Sequence, residues 1–195
     1  SLLPNLPSKA STNLGAHHPL CKKKHKLKVV KRPIESDYWR DSFANSFDVV
    51  TLWDVIEHVN YPWSTLCSAS NVLKKDGLLF VDTPCKDSFY HRVGSLTYWL
   101  SGGRFPTFLN IMYSAHKFGH KQIFSTAEME RLLSQSGFEV VEMRKFHELS
   151  FPYSFYLKKM FRSDGLVKIL LPLVHVFFIM LPVRNKMLVV ARKMG

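Results

Sequence analysis

The stretch Phe47-Asp48-Val49-Val50-Thr51-Leu52-Trp53-Asp54-Val55-Ile56-Glu57-His58-Val59 constrains this chain more than any other. It opens as an apolar strand behind Asp48 and runs into an acid-x-x-Glu-His group. Open α/β sheets place ligands outside the carboxyl ends of their strands, so a buried strand ending in a carboxylate-rich turn marks a site as well as a fold. Asp54, Glu57 and His58 stand at i, i+3 and i+4, and a helical turn beginning at Asp54 puts all three on one face. Two carboxylates and an imidazole on one face can bind a hard cation, hold a cofactor's polar groups or move a proton. The other reading of these residues is a solvated first turn with acids near a helix N-terminus.

Pro62 follows, then a helix-like run from Trp63 to Leu73. Next come Leu73-Lys74-Lys75-Asp76-Gly77, a turn closed by glycine, and a second strand, Leu78-Leu79-Phe80-Val81-Asp82-Thr83-Pro84. The segment from Phe47 to Pro84 closely resembles the class I S-adenosylmethionine-dependent methyltransferases, nearest the group containing the ubiquinone-biosynthesis O-methyltransferases. That group reads FDvv-x-x-x-(D/E)-v-(I/L)-EHV, then a proline, a helix, LKpGG and a strand ending in TP. This chain has Lys75-Asp76-Gly77 where the family usually has Pro-Gly-Gly. The resemblance continues through His120-Lys121-Gln122-Ile123-Phe124-Ser125, the helix-like Thr126 to Ser136, and Gly137-Phe138-Glu139-Val140-Val141; Thr126 is expected to cap that helix and Gly137 to end it. With the run Asn185 to Arg192 it covers residues 27 to 193.

The resemblance implies an α/β chain with a partial Rossmann-like methyltransferase fold. Phe138–Arg144 and Lys186–Ala191 would form its antiparallel terminal hairpin across a link of about forty residues, long enough to need structure of its own. The implied reaction moves a methyl group from S-adenosylmethionine to an oxygen or carbon of a small or lipid-like acceptor. It is an in-line displacement: the enzyme aligns the two reactants and a base removes the acceptor's proton. By resemblance, Trp53 and Asp54 border the cofactor. Asp54, Glu57 and His58 match the positions where ubiquinone-type members hold a divalent ion, here expected as Mg2+, beside the substrate hydroxyl; such an ion lowers that hydroxyl's pKa. Glu57, His58 and His120 are the candidate catalytic residues. His120 reads in two ways, as a general base titrating near neutral pH or as a structural histidine bonding its own loop.

The family holds its cofactor with a glycine-rich loop after the first strand, because glycine lets backbone approach the ligand closely. Before Gly77 this chain has one glycine, Gly15, with no apolar strand ahead of it and no G-x-G. The expectation is therefore a C-terminal portion of the fold, its N-terminal βα units missing. The competing reading is a non-catalytic methyltransferase-fold remnant that serves as a binding or membrane-peripheral module.

Charge divides the chain into three. Residues 1–34 carry eight bases and no acid, residues 35–151 eleven bases and fourteen acids, and residues 152–195 eight bases and one acid. The basic character thus belongs to the flanks, which can meet an anionic surface, while no motif for specific nucleic-acid binding accompanies it. Residues 1–26, rich in Pro, Ser, Asn and Lys, are expected to be disordered, and residues 27–195 to form the methyltransferase-like domain. Three cysteines without a C-x-x-C argue against a disulfide scaffold or a zinc-cysteine site and for a reducing compartment. The expected location is intracellular, cytoplasmic or membrane-peripheral; the acid-free N-terminal stretch gives a faint mitochondrial signal.

Two segments are too apolar for plain loops. Residues 86–119 include the aromatic run from Phe89 to Tyr113 and lie where the family inserts a substrate lid; the alternative is a satellite core. Residues 157–182 form an apolar helical segment whose centre reads LVKILLPLVHVFFIMLP. It is shorter than the about twenty apolar residues a spanning helix needs, and it is interrupted by Lys168, Pro172 and His175. With basic flanks it can lie in a membrane interface or pack on the sheet. Pro172 is expected to bend or break it.

Overall fold

Leu79 and Val81 are fully buried, as are Met187, Val189 and Ala191, while Leu78, Phe80, Leu188 and Val190 between them are half-buried. That period of two gives the sheet one inner and one outer face. The chain is described here from a computed structural model covering residues 9–11, 28–106, 109–110, 113, 119–148, 152–161, 163–180 and 184–195. Its strands are β1 (Lys9–Ser11), β2 (Lys28–Val30), β3 (Phe47–Trp53), β4 (Leu73–Pro84), β5 (Phe138–Phe146) and β6 (Lys186–Lys193). The helices are α1 (Asp37–Phe43), α2 (Pro62–Val72), α3 (Phe89–Leu100), α4 (Thr126–Gln135), α5 (Tyr153–Met160) and α6 (Asp164–Met180).

The main sheet has the order β3-β4-β6-β5. β3 and β4 run parallel through the right length for a crossover, α2. β6 lies antiparallel to both β4 and β5, which is the terminal hairpin the family resemblance implies. Helices α2 and α4 cover the inner face. Leu66, Ala69, Met129 and Leu133 meet Leu79, Val81, Phe138, Met187 and Val189 in one buried cluster. β4 and β6 are thus buried on one face and half-buried on the other, while β3 buries only Leu52 and β5 only Phe138. β1 and β2 pair in parallel as a separate two-stranded sheet. The segment expected to be disordered, residues 1–26, contains β1; its remaining residues lie outside those described.

Local chemistry explains the boundaries. Pro62 opens α2 at a position where a missing N–H costs nothing. β4 begins at Leu73, five residues earlier than its apolar run, because Leu73 pairs with Phe47 before a register shift. Inside that shift Asp76 has a φ of 61°, and a Cβ on Gly77 would lie 2.9 Å from the Lys74 carbonyl oxygen, so only glycine fits. Ser125, not Thr126, caps α4, and Glu128 completes a reciprocal capping box. Thr126 instead gives its N–H and its hydroxyl to Asp87, at 2.9 and 2.8 Å. Gly137, with a φ of 83°, ends the helix. Helix α1, which the sequence pattern does not announce, is held by buried Trp39, whose Nε1 donates to the Arg32 carbonyl at 3.3 Å.

Each of the two apolar segments carries a helix, α3 in the first and α6 in the second. α3 leaves Trp99 75% and Leu100 68% exposed. α6 continues through Pro172 without a break. Val167 faces inward, and Leu166, Ile169, Leu173 and Val176 form an exposed apolar stripe. No helix among the described residues is long and apolar enough to cross a membrane.

Candidate active site

Residues after Trp53 do not form a helical turn. Asp54 sits in the left-handed region with a φ of 47°, its N–H donating to the Asp82 carbonyl at 3.0 Å. Asp tolerates this conformation better than most residues, and such local strain concentrates at functional sites. A tight turn follows, with the His58 N–H donating to the Val55 carbonyl at 3.0 Å, and α2 starts only at Pro62. The i, i+3, i+4 spacing therefore does not align Asp54, Glu57 and His58. The turn sends Asp54 one way and the Glu57–His58 pair another.

Asp54 faces Lys186, the first residue of β6. The Lys186 ammonium lies 2.9 Å from Asp54 Oδ1, 3.0 Å from Asp82 Oδ2 and 3.1 Å from Glu148 Oε2. Burial pulls the lysine's pKa down, but hydrogen bonds to three carboxylates outweigh it and hold the group well above the ordinary lysine range. Asp82 is pushed up by burial despite the ammonium beside it, and its Oδ1 has no partner among the described residues. Glu148 is set in place by Asn185, whose amide donates to the Glu148 carbonyl at 2.6 Å and accepts its N–H at 2.9 Å.

Glu57 goes inward and is completely buried. Thr83, at the carboxyl end of β4, donates its hydroxyl to Glu57 Oε2 at 3.0 Å. Oε1 has no hydrogen-bond partner among the described residues. Burial, opposed by backbone and Thr83 hydrogen bonds and reinforced by the Asp54 charge, raises the Glu57 carboxyl to about 7. His58 lies beside it, with Nε2 4.0 Å from Glu57 Oε1. Its Nδ1 donates to the Gly119 carbonyl at 3.2 Å, which leaves the Nε2 lone pair on the Glu57 side. His120 completes the group: its ring centroid is 5.0 Å from that of His58. One donor atom from each of Glu57, His58 and His120 falls within 4.8 Å of the others.

The segment carrying His120 is stitched to the turn. Lys121 and Gln122 give their N–H groups to the Glu57 carbonyl at 2.9 and 3.3 Å. The Gln122 amide reaches the Val59 carbonyl at 3.0 Å, and Lys121 Nζ reaches Asn60 Oδ1 at 2.6 Å.

Of the sequence-derived candidates, the structure thus unites Glu57, His58 and His120 and leaves Asp54 outside. Trp53 ends β3 with its indole 55% exposed, available as a platform for a flat ligand, whereas Asp54 is engaged by Lys186. A Mg2+ ion on Asp54, Glu57 and His58 does not fit this donor set, since Mg2+ favours oxygen ligands and the carboxylate of Asp54 is committed elsewhere. Sequence reasoning missed Thr83, Asp82, Lys186 and Glu148. The one signal for them is polar residues at the carboxyl end of β4 and a lysine opening the otherwise apolar Met187–Ala191 run.

A parallel strand pair joined to an antiparallel terminal hairpin, with polar groups gathered at the carboxyl strand ends, defines a Rossmann-like methyltransferase fold. A family model described as a methyltransferase domain matches residues 7–143. The ubiquinone biosynthesis O-methyltransferase of Glaesserella parasuis serovar 5 is 29% identical over 116 residues, which are 60% of this chain and 46% of that enzyme. The chain therefore spans about half the length of the curated relatives it matches. Among solved structures, a SAM-dependent methyltransferase from Archaeoglobus fulgidus superposes with a TM-score of 0.57 at 14% identity, covering 95% of this chain and 75% of the other. The [4+2]-cyclase SpnF superposes with a TM-score of 0.58 at 17% identity, covering 96% and 66%. At such identities the likeness is one of fold, and a cyclase among the neighbours shows that this fold hosts more than one chemistry. The chain belongs to the class I S-adenosylmethionine-dependent methyltransferase family.

Proposed function

We propose that this chain carries the acceptor side of a methyltransferase that transfers a methyl group from S-adenosylmethionine to an oxygen of a small or lipid-like acceptor. The observation that carries the reading is the Glu57–His58–His120 group, a buried carboxyl with a pKa of about 7 beside two imidazoles, at the carboxyl end of β3. The cofactor supplies the electrophilic methyl. The protein's part is to align the acceptor and take its proton. His58 suits that role because its Nδ1 proton is committed to the Gly119 carbonyl, leaving Nε2 basic. Glu57, poised near neutrality, can receive the proton or balance the imidazolium that forms. Trp53 offers its exposed indole to the bound reactants, and α3, with exposed aromatic side chains beside this end of the sheet in sequence, acts as the lid.

The acceptor's lipid-like character is supported by α6. Its exposed stripe of Leu166, Ile169, Leu173 and Val176 has Lys158 and Lys168 nearby in sequence, the pattern of a helix lying in a bilayer interface. A second reading, a non-catalytic member of the family, is favoured by the single glycine among residues 1–76. Turnover separates the two. Glu57→Gln and His58→Ala should each lower kcat by about 10²-fold or more, the usual worth of a positioned proton acceptor, with unchanged circular dichroism. Full turnover in both variants would remove the catalytic role.

A further inference from the structure

We propose that the outer edge of β3 pairs with the same edge of a second copy of this chain, antiparallel and centred on Val50, so that two four-stranded sheets become one. This interface does not depend on the methyl-transfer reading.

β3 closes one side of the order β3-β4-β6-β5, and among the described residues its backbone pairs with β4 alone. The Asp54 N–H donates across that ladder to the Asp82 carbonyl, and successive strand residues alternate sides. Val49, Thr51 and Trp53 therefore turn their N–H and C=O groups away from β4. An open row of such groups is a template for another strand unless charge, proline or a bulge blunts it. The opposite edge, β5, is blunted: it carries Glu139, Glu142, Arg144 and Lys145 and shifts register between Val140 and Glu142. β3 is not. Its pairing is regular from Val49 to Trp53, it holds no proline, and its one charge, Asp48, is matched within the chain by Lys74 at 2.7 Å. Phe47, Val49 and Val50 are only half-buried and Trp53 is exposed, so the strand has apolar surface left to cover.

The side chains choose the occupant. An edge that meets its own copy about a two-fold axis runs antiparallel and opposes its residues reciprocally. Centred on Val50, Phe47 meets Trp53, Asp48 meets Leu52 and Val49 meets Thr51, so all seven strand residues are used and no charge opposes a like charge. Aromatic and β-branched pairs of this kind stabilise sheets. Centring the pair on Thr51 would instead set Asp48 of one copy opposite Asp54 of the other, and like charges directly opposite are destabilising. The strand is thus complementary to itself in the Val50 register.

The test is the mass of the 195-residue chain by sedimentation equilibrium over a range of concentrations. It should rise from 22.6 kDa towards twice that value, and the amides of Val49 and Thr51 should exchange more slowly as the dimer forms. Thr51 is exposed, so Thr51→Lys should keep the fold while raising the dissociation constant by about tenfold or more. Val49→Glu with Thr51→Glu, and Val49→Lys with Thr51→Lys, should each be monomeric because each opposes like charges, and a mixture of the two should associate again. Circular dichroism separates loss of pairing from loss of fold, and Thr51→Lys keeps the test valid if a double variant unfolds. The proposal is overturned if the chain stays at 22.6 kDa at every concentration, so that its own residues cover the edge. It is equally overturned if the dimer survives Thr51→Lys, so that another surface such as the α6 stripe holds it, or if the two double variants, both folded, fail to associate when mixed.

Discussion

Lys186 Nζ lies 2.9 Å from Asp54 Oδ1, joining the turn after β3 to the start of β6. The same ammonium reaches buried Asp82, so one side chain ties the carboxyl ends of β3 and β4 to the terminal hairpin. The two carboxylates differ in exposure, 53% for Asp54 and 7% for Asp82, and that difference decides the energetics. Removing the cation strands the buried carboxylate. Lys186→Met should therefore cost about 3 kcal/mol, in the range found when one partner of a buried pair is lost. Asp54→Asn, at an exposed partner, should cost less than about 1 kcal/mol. Urea unfolding of the two variants checks this; equal costs would mean that Lys186 does not hold the strand ends together.

Glu57 makes stability depend on pH. Unfolded it titrates near 4.5, and folded at about 7. Between these values the native chain holds a proton that the unfolded chain has lost. The contribution is therefore complete below pH 4.5 and falls as pH rises through 7. The loss amounts to roughly 3 kcal/mol across the window. Unfolding the metal-free chain in urea at pH 5 and pH 8 should show it, and Glu57→Gln should flatten the difference. A wild-type protein as stable at pH 8 as the variant would contradict a buried, high-pKa carboxyl.

The capping of α4 can be tested at two adjacent hydroxyls. Ser125→Ala breaks the capping box and should cost about 1 kcal/mol. Thr126→Ser keeps a hydroxyl for Asp87 and should cost less. A larger loss from Thr126→Ser would return the cap to the residue that the sequence suggests.

Those two positions show what the sequence could and could not disclose. Strand β3, helices α2 and α4, and the β5–β6 hairpin were legible because each is an apolar run with a local start or stop signal: Pro62, Gly77, Gly137. The catalytic candidates Glu57, His58 and His120 were legible as residue types, and the structure brings them together. Their geometry was not, because Asp54 at a φ of 47° turns the chain where a helical reading would align it. Lys186 was out of reach for a different reason. Its partner Asp54 is 132 positions away, and only the pairing of β6 with β4 brings them together. The cap moved by one residue because Asp87, 39 positions from Thr126, takes the threonine hydroxyl.

The exposed stripe on α6 gives a prediction about surfaces. The chain should co-sediment with anionic vesicles and be partly released by high salt, since each cation near such a surface adds about 1 kcal/mol that salt screens. Ile169→Ser with Leu173→Ser should abolish binding without lowering stability, both side chains being exposed. Equal recovery in the supernatant with and without vesicles would leave α6 without a membrane role.

Methyl transfer itself is the most direct measurement. The chain should be incubated with S-adenosylmethionine carrying a labelled methyl group and with small and lipid-like hydroxyl-bearing acceptors, over cofactor concentrations extending to the millimolar range. Having no glycine-rich loop ahead of Gly77, it should bind the cofactor weakly, with no saturation at low micromolar concentration. Label should still appear on the acceptor oxygen at high cofactor, and His58→Ala should remove most of it. Absence of labelled product at every cofactor concentration, from a chain whose circular dichroism shows it folded, would contradict the enzyme and favour the non-catalytic reading.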